Sequence, residues 1–189
     1  INNMVFDFIY HEHLSAFSIR PVKVRMERHG LKLYRVEYLK TKGGSIRYYC
    51  CRYYATKGGE YPLTIYRNED HLYEKKTWID FNARIAVERE KTLNFCSQAK
   101  AQGKNIVAFG ACISGTTLAY HFGLGEYFEY IVDDNPAKHF TYSPGLHKRV
   151  LPISVLQDLK PDYVLALAWR FADDFQAQRP QYKVIRPLP

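Results

Sequence analysis

The sequence predicts an α/β protein whose C-terminal half builds a parallel sheet covered by helices. Three observations carry this. Short apolar runs at Asn105–Gly110, Tyr130–Val132 and Asp162–Ala168 alternate with helix-forming stretches, the pattern of parallel strands buried on both faces. The first run ends in Gly110-Ala111-Cys112-Ile113-Ser114-Gly115, a strand-to-helix turn where backbone N–H groups can approach phosphate. The second ends in Asp133, close to the roughly 20-residue spacing at which a dinucleotide-binding unit places its ribose-binding acid. Together they describe a Rossmann-like unit over residues 104–189.

The remaining elements follow in order. Residues 4–10 alternate weakly, with Phe6, Phe8 and Tyr10 on one face, which predicts a strand. Ser18 then reads as an N-cap, Pro21 sits in a first helical turn, and Gly30 closes the helix. Two β-rich runs, Leu31–Leu39 and Ser45–Tyr54, flank the turn signal Thr41-Lys42-Gly43-Gly44 and predict a hairpin. Residues 56–70 read as a linker or surface loop. A long helix is predicted from Leu72 to Ala101, with Trp78, Phe81, Ile85, Leu93 and Cys96 near a 3.6 period and Gly103 beyond its end. In the C-terminal unit, helices are predicted at 116–122, 153–159 and 171–178, with a last strand at 183–186; residues 135–148 read as a long loop. The organisation expected is therefore residues 1–55, a linker and helix over 56–103, and the Rossmann-like unit over 104–189.

Composition sets the class. In 189 residues, 47% are hydrophobic and 24% charged, which is ordinary for a globular chain. No run of about 18 apolar residues exists and the first residues lack a basic, then apolar, leader, so a cytoplasmic protein without membrane contact is expected. The four cysteines form no C-x-x-C pair, which predicts reduced thiols and no metal site in this chain. The net charge of +8 and 16 tyrosines raise a nucleic-acid partner, but no element interleaves a basic stripe with aromatics, so none is expected.

Two clusters carry chemistry. Gly110, Ser114 and Gly115 with Asp133 suit a nucleotide, although the spacing is neither G-x-G-x-x-G nor a P-loop. The following loop brings Lys138, His139, His147, Lys148 and Arg149 beside Pro144-Gly145, cations suited to a diphosphate. The second cluster is Tyr10-His11-Glu12-His13. On extended backbone His11 and His13 point one way and Tyr10 and Glu12 the other. A carboxylate beside histidines suits acid–base chemistry, and the spacing disfavours zinc.

The segments Phe6-Asp7-Phe8-Ile9-Tyr10-His11-Glu12-His13-Leu14, Gly43-Gly44-Ser45-Ile46-Arg47, Phe109-Gly110-Ala111, Val132 to Lys138, Ser143-Pro144-Gly145 and Leu167-Ala168-Trp169 resemble the sugar C-methyltransferases, in order and over nearly the whole chain. The resemblance implies S-adenosylmethionine-dependent methylation of carbon 3 of a nucleotide-linked 4-keto-deoxysugar. It implies His13 as general base, with Tyr10 and Glu12 as catalytic neighbours. It assigns His11, Ser45, Arg47, Gly110, Ala111, Ser114, Asp133, Pro136, Lys138, Pro144, Gly145 and Trp169 to substrate binding. Residues 1–55 would be the closing strand, helix and hairpin of a class I methyltransferase domain. The S-adenosylmethionine loop and a small zinc domain would lie outside this chain, which alone is expected to be inactive, as a monomer or homodimer. Ser114 stands near the position where the family usually has Lys. The alternative is a nucleotide-sugar-binding module with no chemistry of its own.

Overall fold

A computed structural model describes residues 1–54 and 69–189. They form two compact units, Ile1–Leu14 with Ala83–Pro189, and Ser15–Asn82. The expected linker at 56–70 lies almost wholly outside the described residues. Among these, no helix is long and apolar enough to cross a membrane.

The larger unit is a five-stranded parallel sheet. Its strands are β3 (Ile106–Phe109), β4 (Tyr130–Asp133), β5 (Arg149–Pro152), β6 (Tyr163–Ala166) and β7 (Val184–Ile185), in the order β5-β4-β3-β6-β7. That is the order of a Rossmann-like half, with β3 central and fully buried. The helices are the C-terminal part of α2 (Lys75–Ala101), then α3 (Ile113–Phe122), α4 (Leu156–Leu159) and α5 (Ala172–Gln178). Side chains alternate across the sheet. On one face Val107, Phe109, Val132, Val164 and Ala166 pack with Leu156, Ala172 and Phe175. The Phe109 and Phe175 rings lie 4.4 Å apart. The other face presents Ile106, Ala108, Ile131, Val150 and Leu165, all buried.

Strand β5 follows directly on the expected long loop, at residues where the sequence pattern predicts no element. Its sequence, Arg149-Val150-Leu151-Pro152, is short, opens on a charge and closes on proline. That composition is tolerated because β5 is an edge strand. The helix expected at 153–159 is a 3₁₀ turn, Ile153–Val155, followed by the single turn of α4.

The first residues also differ from expectation. No strand forms at 4–10; the backbone turns repeatedly, with bonds such as Phe6 N–H to Met4 O (2.8 Å), Ile9 N–H to Phe6 O (3.0 Å) and His13 N–H to Tyr10 O (2.8 Å). Neighbours Phe6 and Asp7 are both buried, Asp7 against the Trp169 indole, whereas the half-buried strand predicted here would turn Asp7 toward solvent. Phe6 stacks on Phe122 and tilts against His121, at 5.8 and 4.9 Å between centroids. This burial groups Ile1–Leu14 with the parallel sheet and not with the hairpin.

The smaller unit holds α1 (Ile19–Arg28) and an antiparallel hairpin of β1 (Leu31–Leu39) and β2 (Ser45–Arg52), paired from Leu31↔Arg52 to Leu39↔Ser45. The hairpin forms where expected. The cap of α1 does not: Ser18 makes no side-chain cap bond. Instead the buried Glu69 carboxylate accepts the Ile19 N–H at 2.8 and 2.9 Å and the Arg20 N–H at 3.2 Å. An anion at a helix N-terminus is favoured by both the free N–H groups and the helix dipole.

Candidate functional site

A cavity of about 390 Å³ opens at the C-terminal ends of the central strands, within the range of small-molecule sites. Gly110, Ala111 and Cys112 of the strand-to-helix turn line it, with Ile113, Thr116 and Thr117 of α3. Lys138, Thr141, Tyr142, Ser143, Pro144 and Leu146 close it from the long loop, and Tyr10 and His11 border it from the first segment. Three widely separated stretches thus meet at the crevice where α/β sheets bind ligands.

Two glycines allow this by close approach. At Gly110 (φ +96°) a Cβ would stand 2.3 Å from the Ala168 Cβ and 2.9 Å from its nitrogen, so only glycine lets β3 turn beside the end of β6. At Gly145 (φ +70°) a Cβ would stand 1.8 Å from the Tyr120 Oη, so the loop rests directly on α3.

The Tyr10–His13 stretch is a turn, which corrects the extended arrangement. Tyr10 and His13 share a side, their rings stacked at 4.4 Å, and His11 and Glu12 approach only to 4.0 Å, both exposed. The His13 Nδ1 lies 3.0 Å from the Phe8 carbonyl oxygen. A carbonyl only accepts, so this contact places the ring proton on Nδ1 and leaves a lone pair on Nε2. Nε2 sits 3.4 Å from the Tyr10 Oη. The arrangement can take a proton at Nε2 and offer a phenol beside it.

Asp133 ends β4 beside the glycine turn. It is 7% exposed, and its carboxylate accepts the Ala111 N–H (2.7 Å), the Asn135 N–H (2.9 Å) and the Lys138 ammonium (3.1 Å). It therefore braces the glycine turn and the loop. Among the described residues, no three or more His, Cys, Asp or Glu side chains converge as a metal site.

The other residues singled out in the sequence are distributed as follows. Of the five cationic loop side chains, Lys138 lines the cavity, whereas Lys148 and Arg149 lie against the rings of Phe128 and Phe140. Pro136 opens a 3₁₀ turn capped by Asn135 and is exposed. Ser114 is buried behind the turn, its Oγ 3.5 Å from an Arg170 Nη2. Trp169 is buried, and its Nε1 donates to the Asp7 carboxylate at 3.0 Å. Ser45 and Arg47 belong to β2 of the smaller unit; there Arg47 pairs with Glu37 at 3.4 Å and the Ser45 Oγ donates to Thr41 O.

Sequence reasoning missed Asp7 and Arg170. Asp7 is fully buried, and burial pushes its carboxyl above the ordinary 3.8 despite the Trp169 hydrogen bond and the Arg170 charge. The only signal is an acid between two phenylalanines, which a strand reading turns toward solvent.

Residues 40–187 match the family model of the C-methyltransferase C-terminal domain. The chain is also 25% identical to the C-methyltransferase NovU of Streptomyces niveus over 198 aligned positions, covering 100% of this chain and 47% of that relative. It thus spans about half the length of the curated relative it matches. A five-stranded parallel sheet in this order, a glycine turn braced by Asp133 and a family match over most of the chain agree: the chain belongs to the C-methyltransferase C-terminal domain family.

Proposed function

We propose that this chain supplies the acceptor site and the catalytic base of an enzyme that methylates carbon 3 of a nucleotide-linked 4-keto-deoxysugar. S-adenosylmethionine, held elsewhere, is the methyl donor that the family implies. The observation that carries the reading is the His13 geometry: a ring whose Nδ1 proton is tied to Phe8 O and whose Nε2 faces Tyr10, a residue that lines the cavity.

The chemistry follows from those groups. A 4-keto group acidifies the neighbouring carbon-bound proton, and His13 Nε2 accepts it as a neutral imidazole. The Tyr10 hydroxyl donates toward the enolate oxygen that develops. Lys138 keeps two of its three ammonium donors free of Asp133 and, with the turn at Gly110–Cys112, takes the diphosphate.

Two measurements test this. Calorimetric titration with TDP, UDP and GDP should show a nucleoside diphosphate binding the 189-residue chain, and S-adenosylmethionine should give no heat. In the full-length gene product, an acceptor incubated in D₂O without methyl donor should exchange its carbon-3 proton, and His13→Asn should abolish that exchange. Full exchange by His13→Asn would exclude His13 as the base. Absence of any diphosphate binding would exclude the acceptor site.

A further inference from the structure

The turn that carries Tyr10 and His13 has no strand or helix to hold it, and beneath it lies a buried ion pair that is not hydrogen-bonded. The Asp7 Oδ1 and the Arg170 Nη1 are both shielded from solvent and pair at 3.6 Å, beyond hydrogen-bond distance, and neither atom has a hydrogen-bond partner. Buried polar groups are almost always satisfied, so a pair without a hydrogen bond calls for a reason other than fold stability.

Its surroundings supply one. The Arg170 guanidinium carbon sits 4.3 Å from the centre of the Phe8 ring. Phe8 in turn stacks on the His13 ring, 5.8 Å between centroids at 10° between planes, and its carbonyl holds the His13 Nδ1 at 3.0 Å. Behind the guanidinium stand the Asp7 carboxylate, the Trp169 ring at 5.4 Å and the Ser114 Oγ at 3.5 Å. Asp7 is itself fixed by the Trp169 indole at 3.0 Å. A path of direct contact therefore runs from the loop after β6, through Arg170 and Phe8, to the base.

We infer that Arg170 is a positioning residue for His13: held by buried Asp7 and Ser114, its guanidinium plane fixes Phe8, and Phe8 fixes both the orientation and the tautomer of the imidazole. The planar cation suits this role because it can lie on an aromatic face while its edge meets a carboxylate. The ion pair stays at 3.6 Å, without a hydrogen bond, because the guanidinium lies on the Phe8 ring, 4.3 Å from its centre. Arg170 does not line the cavity. The inference rests on the reading of His13 as the base.

The test uses the full-length gene product with Arg170→Met and Phe8→Leu, and Arg186→Met as control, since Arg186 pairs with exposed Asp173. The His13 tautomer is read by ¹⁵N NMR in alkaline buffer, which needs no substrate. Proton exchange at the acceptor carbon in D₂O is read separately, as is TDP affinity. Wild type should show one tautomer with Nδ1 protonated, and both variants a mixture. Exchange should fall by on the order of 10²-fold, the loss expected when a reacting group is misplaced by roughly 1 Å. TDP affinity should stay near wild type. Arg170→Lys should restore little, because an ammonium lacks the planar face. A single His13 tautomer retained in both variants, or wild-type exchange in either, overturns the inference. If Arg170→Met does not fold, Phe8→Leu decides, since it leaves the ion pair intact. If wild type itself exchanges no proton, the proposed reaction fails and the tautomer alone decides the positioning role.

Discussion

Gly110→Ala tests how the ligand crevice is built. Two terms oppose the added methyl. The residue sits at φ +96°, where a side chain costs about 1–3 kcal/mol. The new Cβ would lie 2.3 Å from the Ala168 Cβ and 2.9 Å from the Ala168 nitrogen, and the second is backbone that cannot swing away. Overpacking of this kind costs roughly 1–3 kcal/mol. The sum is about 2–6 kcal/mol, which in a domain of this size lowers the melting temperature by on the order of 10 °C. Thermal melting followed by far-ultraviolet circular dichroism measures it. The double variant Gly110→Ala/Ala168→Gly separates the terms: it removes the 2.3 Å overlap but keeps the backbone contact and the φ cost, so it should recover part of the loss. A single variant melting within about 2 °C of wild type would refute the argument, because even the φ cost alone predicts more. Full recovery in the double variant would show that φ and the backbone contact contribute nothing.

Three further outcomes are expected. The folded chain holds the Asp7 proton more tightly than the unfolded chain, chiefly through burial, so that contribution is fully present below 3.8 and is lost as pH rises through the raised folded value. Wild-type stability relative to Asp7→Asn, from urea unfolding across pH, should therefore fall as pH rises out of the acid range; a flat or widening gap counts against it. Cys96 is buried and its thiol is pushed up to about 11 by desolvation, so a disulfide reagent at pH 8 should label exposed Cys50 in the native protein and reach Cys96 only after denaturant is added. Glu69→Gln should destabilise the smaller unit by about 1–2 kcal/mol, the usual scale for a lost charged N-cap, seen as a lower urea midpoint; an unchanged midpoint would show that the Glu69 cap contributes nothing.

Local signals explain what the sequence made legible. The buried runs at β3, β4 and β6, the hairpin around Gly43-Gly44 and the long helix all follow from periodicity and turn chemistry, which depend on neighbours in the chain. What escaped depends on distant residues. The N-cap of α1 comes from Glu69 and not from adjacent Ser18, and no propensity encodes a partner 50 positions away. The first segment reads as a strand because Phe6 and Phe8 alternate, yet Asp7 turns inward to reach Trp169, 162 positions on. Asp133 sits where its spacing placed it, but the backbone N–H groups of Ala111 and Asn135 occupy its oxygens, which only coordinates reveal. Trp169, marked through resemblance, and Ser114, marked at the glycine turn, lie beneath the cavity wall and support the residues that line it.

The hydrogen bond between Asp7 and Trp169 also orders events in time. As the ribosome makes this chain, the turn bearing His13 emerges long before its anchor, which follows Asp7 by 162 positions. Loop closure over so long a separation is slow, and it cannot begin until β6 has emerged. A nascent or prematurely terminated chain thus has the histidine but lacks the loop that anchors its turn, so that turn can be seated only once β6 and the loop after it are made. The connection makes the seating of the His13 turn depend on the integrity of the C-terminal sheet.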